Sequence, residues 1–179
     1  MTGIGSAYGG ALYSLARDEG LSDAIMAELK VLNESLRQEP GFLRLLSSPT
    51  LTKQERCGIV DDSFRGKVHE YVLNFLKLLA EKGYTGHFSQ CYAAYKELYN
   101  QDNGILPVTA VTAVALNQDQ SARLTEKLAR LTGKRIELTN RVDPSVLGGM
   151  RLDYDGKRVD DTVSHRLDTV RDLLQNTIL

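Results

Sequence analysis

Chemical handles are scarce in this 179-residue chain: it has two cysteines, three histidines and a net charge of −1. Cys57 and Cys91 form no CxxC or Cys/His cluster, so they read as buried, inert thiols of a reducing compartment. His69, His87 and His165 are isolated and unpaired in spacing, and neither a metal nor a cofactor is expected. The balance of 22 Lys+Arg against 23 Asp+Glu removes the bulk positive field that drives non-specific binding to nucleic acid or membrane surfaces. No run approaches the ~18 apolar residues of a bilayer span. The start, Met1-Thr2-Gly3-Ile4, lacks the charged and apolar regions of a secretory signal, so a soluble cytosolic chain is expected. The length allows one ordinary domain or two small ones, each with a real core.

What is present is unevenly distributed. Aromatic residues make up only 7% of the chain, and all but Tyr154 precede residue 104. β-Branched residues do the opposite: residues 68–103 hold Val68, Val72 and Thr85, whereas residues 105–116 hold six. Between these regions lies Asn100-Gln101-Asp102-Asn103-Gly104, a polar run ending in a glycine suited to a helix C′ position. The sequence therefore predicts two domains, residues 1–103 and 104–179.

The first domain has helical periodicity almost throughout. Ile4, Tyr8, Ala11, Leu12 and Leu15 form one stripe, although Gly9 and Gly10 weaken it by roughly 1 kcal/mol each relative to Ala. Leu21, Ile25, Leu29, Leu32 and Leu36 form a second stripe, and Phe42 to Leu46 a short third segment. Thr52-Lys53-Gln54-Glu55 is a capping box opening a helix through Ile59, Val60 and Phe64. Val72, Phe75, Leu76 and Leu79 then run to Gly83, and Phe88 to Tyr99 keep helical spacing up to Gly104. Short connections between amphipathic helices imply an antiparallel six-helix bundle.

The second domain changes period. Ile105 to Val114 reads as a strand apolar on both faces, with Pro107 near its start. Asn117 and Gln120 cap a helix closed by Gly133, and Arg135 to Val142 alternates as a strand. Leu147–Tyr154 and Lys157–Val159 flank Asp155-Gly156, a type I′ hairpin signal. Asp161 or Thr162 opens a last helix with Val163, Leu167, Val170, Leu174 and Ile178 inward. The fold expected is therefore α+β in two domains, a six-helix bundle followed by a small β-α-β-β-α module.

Catalytic constellations are hard to find. Gly148-Gly149 falls inside an expected strand without GK[ST] or GxGxxG, which favours a bulge or close backbone packing over a phosphate cradle. One carboxylate of Asp160-Asp161 reads as a helix cap, and Asp61-Asp62 as a solvated helix face. From residue 104 onward 11 basic and 10 acidic side chains give +1, with one aromatic. Neither a basic footprint nor a stacking platform for RNA is present. Tyr8 and Tyr13 lie five positions apart and cannot share a narrow helix face. The residues alone thus describe a non-enzymatic adaptor, with a phosphate- or nucleotide-processing enzyme a distant rival.

Three stretches add a resemblance. Ala7-Tyr8-Gly9-Gly10-Ala11-Leu12-Tyr13 resembles the opening helix of the F-type ATP synthase delta subunit, bacterial counterpart of the mitochondrial oligomycin-sensitivity-conferring protein. Phe75 to Gly83 resembles that family's fifth-helix motif. Most specific is Val142-Asp143-Pro144-Ser145-Val146-Leu147-Gly148-Gly149-Met150-Arg151, followed by Lys157 to Val163 and Arg166-Leu167, similar to the C-terminal signature. The likeness runs from about residue 4 to 176. It departs from the family at Gly9-Gly10, at Tyr84 in place of a common Arg, and at Asp161 and His165 in place of glycines.

The resemblance implies a non-catalytic stator part that couples proton flow to ATP synthesis. Its bundle would bind the N-termini of the alpha subunits, one as an amphipathic helix between the first and fifth helices. By resemblance the groove residues are Tyr8, Ala11, Leu15, Phe75, Leu78 and Leu79, with Leu12 and Leu76 read as core. The second module would grip the b subunits through Val170, Leu173, Leu174 and Ile178. Asp143, Gly148, Gly149, Arg151, Asp160 and Arg166 are the structural motif. The expected location is the cytoplasmic face of the bacterial cell membrane, reached only through partner subunits. An independent cytosolic adaptor or regulatory protein is the alternative.

Overall fold

A computed structural model describes residues 3–48 and 50–162. The chain divides into two units, residues 1–99 and 100–179. The order of the elements follows from local signals and then from packing.

In the first unit the helices are α1 (Gly3–Asp18), α2 (Ser22–Gln38), α3 (Pro40–Leu46), α4 (Lys53–Phe64) and α5 (Glu70–Lys82). A 3-10 turn at Thr85–His87 leads into α6 (Phe88–Asp102), and the division between units falls in its last turn. Proline at the first position of α3 suits a site where no intrahelical N–H bond exists to lose. At α4 the Thr52 N–H donates to Glu55 Oε2 (2.8 Å), and the Glu55 N–H donates to Thr52 Oγ1 (3.2 Å). The Thr52 N–H and hydroxyl together hold the Glu55 carboxyl below its ordinary value. Gly83 ends α5 in the left-handed conformation at φ 75°.

Each helix turns a stripe inward. On α2 the buried residues are Ile25, Leu29, Leu32 and Leu36, spaced four, three and four. They meet Val72, Leu76 and Leu79 of α5 and Phe88, Cys91 and Tyr95 of α6 in one apolar cluster. Full burial of each such aliphatic side chain stabilises the fold by ~1.5–3 kcal/mol. Tyr13 packs edge-on against Tyr95 at 5.2 Å, and the Tyr95 hydroxyl donates to the Ser22 carbonyl (3.0 Å). Burial pushes the Tyr95 phenol well above its ordinary value and also raises the Cys91 thiol. Cys57 is half-buried, with its Sγ 3.7 Å from the Lys77 carbonyl oxygen.

Two readings of the first unit change. Asp61 is not on a solvated face: its side chain is only 16% exposed and pairs with Lys77 of α5 and Arg65 one turn on. It adjoins buried Val60 at the α4–α5 seam, where a long lysine reaches a carboxylate. Gly9 is not merely a weak spot in α1. A Cβ there would stand 2.2 Å from the Cys91 carbonyl oxygen and 3.0 Å from Ala94 Cβ. One turn earlier, a Cβ on Gly5 would meet Gln90 Cβ at 2.8 Å. Helix α1 therefore lies against α6 at a distance only glycine permits.

The second unit is built on a four-stranded sheet in the order β2-β1-β3-β4 among the described residues. Strand β1 (Ile105–Thr112) pairs in parallel with β2 (Arg135–Val142), in the register Val108 to Leu138. The crossover between them is α7 (Gln118–Thr132), opened by a second reciprocal cap and closed by Gly133 at φ 67°. There the Asn117 N–H donates to Gln120 Oε1 (3.0 Å), and the Gln120 N–H donates to Asn117 Oδ1 (2.8 Å). On its other side β1 pairs antiparallel with β3 (Met150–Tyr154), which forms a hairpin with β4 (Lys157–Asp160). Asp155 and Gly156 at the tip have φ 49° and 69°, as a two-residue type I′ turn requires. Pro107 precedes the first residue of the β1–β3 ladder, so its missing N–H leaves no gap in that pairing.

Gly148 and Gly149 precede β3 rather than lying inside a strand. A 3-10 turn at Pro144–Val146 and Leu147 at φ 62° postpone extended structure until Met150. The last expected helix, beginning after Thr162, lies outside the described residues.

Position 9 and position 10 are neighbours with opposite demands. Gly10 has only Leu98 Cδ1 near its missing Cβ, at an ordinary 3.7 Å. Gly9→Ala should destabilise the chain by roughly 1–3 kcal/mol, because backbone cannot yield as a side chain does. Gly10→Ala should stabilise it by up to about 1 kcal/mol through helix propensity. Urea unfolding followed by far-ultraviolet circular dichroism measures both, and equal effects at the two positions would contradict the close-approach account.

Candidate functional site

Apolar residues that do not reach the core define the candidate site. Leu15 on α1 and Leu78 on α5 are 42% and 40% exposed. They stand on the two walls of an open trough of about 300 Å³. Tyr8 and Ala11 complete the α1 wall and Tyr71 and Asn74 the α5 wall, with Leu12 and Phe75 buried beneath them as the floor. Spacings of three and four place each set on one helix face. The helices run antiparallel along the trough. Tyr8, near the start of α1, meets Tyr84 just beyond the end of α5, edge-on at 5.9 Å.

The start of α5 is fixed from two directions. His69 is its N-cap residue, and its Nδ1 accepts from the Tyr71 N–H (3.2 Å). The His69 N–H donates to Glu28 Oε2 (2.8 Å), joining the entry of α5 to α2. The His69 and Tyr71 rings lie 5.0 Å apart. Tyr71 is thereby held where its ring forms part of the wall.

Of the six groove positions carried over by resemblance, Tyr8, Ala11, Leu15, Phe75 and Leu78 line the trough. Leu79 is the exception, at 1% exposure in the core. One residue is 100° of helix rotation, so Leu78 on the wall sends Leu79 inward with Leu76. Leu12, read as core, is buried yet forms part of the floor. Tyr71 and Asn74 were missed, although they precede Phe75 and Leu78 by one turn on the same stripe. Tyr8 and Tyr13 face different ways, as their spacing demands: Tyr13 is 4% exposed, and Tyr8 is half-buried on the trough.

In the second unit the motif residues shape the chain rather than create a reactive site. Asp143 Oδ1 accepts from the Ser145 hydroxyl (2.6 Å) and N–H (3.0 Å), which starts the 3-10 turn. Those bonds, with Arg141 and Arg151 nearby, hold its carboxyl below the ordinary value. Gly148 donates its N–H to the Val146 carbonyl (2.7 Å). A Cβ on Gly149, at φ 80°, would stand 2.3 Å from the Asp161 carbonyl oxygen. Arg151 lies 3.5 Å from Asp153, which also receives the Arg158 guanidinium at 2.9 Å. Asp160 Oδ1 accepts from the Thr162 N–H (3.1 Å). Val170, Leu173, Leu174 and Ile178, expected to face the b subunits, and the motif residue Arg166 lie outside the described residues.

Among the described residues no group of three or more His, Cys, Asp or Glu is placed to hold a metal. No helix among them is long and apolar enough to cross a membrane.

The comparisons with known proteins agree with one another. The family model of the ATP synthase delta (OSCP) subunit matches residues 4–174. The chain is 30% identical over 176 residues to ATP synthase subunit delta of Alkaliphilus oremlandii, covering 98% of each chain. It is 34% identical over 172 residues to the subunit of the same name from Lactobacillus johnsonii, covering 96% of this chain and 94% of that one. Its fold is similar to a chain of the mitochondrial ATP synthase hexamer of Toxoplasma gondii, with a TM-score of 0.78 at 17% identity. That match covers 96% of this chain and 97% of the other.

Wall and core leucines should separate in stability measurements. Leu79→Ala should cost about 2–4 kcal/mol, as cavity-forming core truncations do. Leu15→Ala and Leu78→Ala should each cost less than about 1 kcal/mol, because part of each side chain already meets water. Gly149→Ala should cost roughly 1–3 kcal/mol through strain at positive φ and the clash with Asp161. Chemical denaturation of the four variants is the check; a Leu78 cost matching that of Leu79 would contradict the wall assignment.

Proposed function

Since the chain belongs to the ATP synthase delta (OSCP) subunit family, we propose that its α1–α5 trough receives an amphipathic helix from the N-terminus of an alpha subunit. The protein is a non-catalytic component of the peripheral stalk of an F-type ATP synthase. Its working form is part of that complex, peripheral to the membrane. In the proposed arrangement an antiparallel six-helix bundle, residues 1–103, sits on the catalytic head. A β-α-β-β-α module, residues 104–179, grips the b subunits through the face of its last helix. The assembly stands at the cytoplasmic face of the bacterial cell membrane, where the b subunits anchor it.

The observation that carries this reading is the trough itself. Helix-in-groove recognition needs apolar anchors on the receiving surface and water to expel from them. Leu15 and Leu78 supply the water-exposed part, while Leu12 and Phe75 form a buried floor. The Tyr8 and Tyr71 rings add broad walls with polar tips, suited to a boundary between apolar contact and solvent. Covering the exposed portions of two leucines contributes roughly 1 kcal/mol apiece, with the incoming anchors contributing a comparable amount.

The mechanical role follows from two attachments on one chain. A head held only by its rotor would turn with it, whereas a subunit fixed to both head and stalk resists that rotation. Protein contacts are the currency of this task, and no reacting group is needed. Coverage of nearly the whole length of the relatives favours this reading over an independent adaptor.

Titration calorimetry of the full chain with a synthetic alpha-subunit N-terminal peptide tests the proposal. Saturable binding is expected, with Leu78→Asp weakening it more than tenfold, as removal of a central apolar anchor does. The variant should retain the parent far-ultraviolet spectrum because Leu78 is a wall residue. Absence of saturable binding, or equal affinity for the variant, would exclude the trough as the alpha-subunit site.

A further inference from the structure

We propose that the outward face of α7 binds an acidic helical segment of another polypeptide. This face is separate from the trough and from the residues proposed to grip the b subunits.

The placement of the cations carries the argument. Arg123, Lys127 and Arg130 are exposed and spaced four and three, which puts them on one face of α7 over about 10 Å. Lys134 and Arg135, also exposed, follow directly after the Gly133 that ends the helix. Residues 123–135 thus hold five cations and one carboxylate, Glu126, whereas the chain from residue 104 onward has 11 basic and 10 acidic side chains. Glu126 pairs with Arg130.

A solvated face of this chain looks different. On α2 exposed charges stand at the same spacing, and there the signs alternate through Lys30, Glu34 and Arg37. Alternation supports a helix, because opposite charges one turn apart attract. Arg123 and Lys127 stand one turn apart and repel, which works against the helix that carries them. The negative carboxyl end of α7 accounts for Arg130 in its last turn. That effect fades within the turn and does not reach Arg123.

Apolar content selects the occupant. Leu131 lies one turn beyond Lys127 and is 74% exposed. A lipid surface suits a helix that inserts a broad apolar face, but Leu124 and Leu128 are already half-buried within the second unit. A nucleic-acid strand stacks its bases on aromatic side chains; α7 has none, and Glu126 repels phosphates. A helix laid alongside, with carboxylates at i, i+4 and i+7, matches Arg123, Lys127 and Arg130 turn for turn. An apolar residue at its edge covers Leu131. Each exposed ion pair adds little alone, so selectivity comes from meeting several cations at matched spacing.

The test titrates the isotopically labelled full chain with two synthetic helical peptides of one composition. The first has glutamates at i, i+4, i+7 and i+11 beside one leucine, and the second has the same residues scattered around the helix. Amide shift changes centred on residues 123–135 are expected, with the first peptide binding about tenfold more tightly at low salt. Arg123→Glu/Lys127→Glu should weaken that peptide about tenfold, the gap closing as salt screens it. Arg123→Gln/Lys127→Gln should fall between, and far-ultraviolet circular dichroism should show both variants folded, since neither residue is buried. Equal affinity for the two peptides, shift changes centred elsewhere, or unaltered binding by both variants would overturn the proposal. So would tighter binding of a single-stranded oligonucleotide or of phosphatidylglycerol vesicles to the same face.

Discussion

The Cys91 carbonyl oxygen of α6 occupies the space that any side chain at position 9 of α1 would need. That single close approach sets where α1 lies, and much else in the first unit depends on it. With α1 drawn against α6, Tyr13 reaches Tyr95 and Ala16 becomes fully buried. The opposite side of α1 is left to form a wall with α5. Moving α1 outward by the width of a methyl group would loosen the Tyr13–Tyr95 contact and alter the trough together. A glycine that lowers intrinsic helix propensity is therefore the residue on which the trough is built.

The trough and the core draw on the same residue types and differ by rotation. Leu78 and Leu79 are consecutive, yet one is 40% exposed and the other 1%. A helix that turns apolar side chains both ways has more of them than its own fold can bury. Solvent contact with the extra residues is tolerated when the area is small and polar groups interrupt it, and Asn74 and the Tyr8 hydroxyl do so here. The second unit shows a different economy. Its motif residues are spent on local geometry, with Asp143 holding a turn and Gly149 admitting the backbone of Asp161.

Features determined by a few adjacent residues were legible in the sequence. The reciprocal caps at Thr52–Glu55 and Asn117–Gln120, the glycine stops at Gly83 and Gly133, and the Asp155–Gly156 turn all depend on neighbours within four positions. Features determined by distant segments were not. The strand expected from Leu147 starts only at Met150, because Gly149 answers to a carbonyl twelve residues ahead. Asp61 looked solvated because nothing nearby in sequence announces Lys77. Periodicity alone gave the apolar faces of α1 and α5 but could not say which leucine at the edge of a stripe turned out. The trough positions came from resemblance, and Tyr71 and Asn74 were within reach by extending the same stripe one turn.

The sheet order leaves β2 and β4 at the margins among the described residues. Unpaired strand margins invite a second copy of the chain to add itself by backbone hydrogen bonding. Here β4 is only four residues long and carries Lys157, Arg158 and Asp160, while β2 carries Arg135, Glu137 and Arg141. Charged side chains and shortness both make such an addition unfavourable, since like charges would be stacked strand upon strand. A component of a peripheral stalk thus has its own self-association discouraged at the described margins of its sheet.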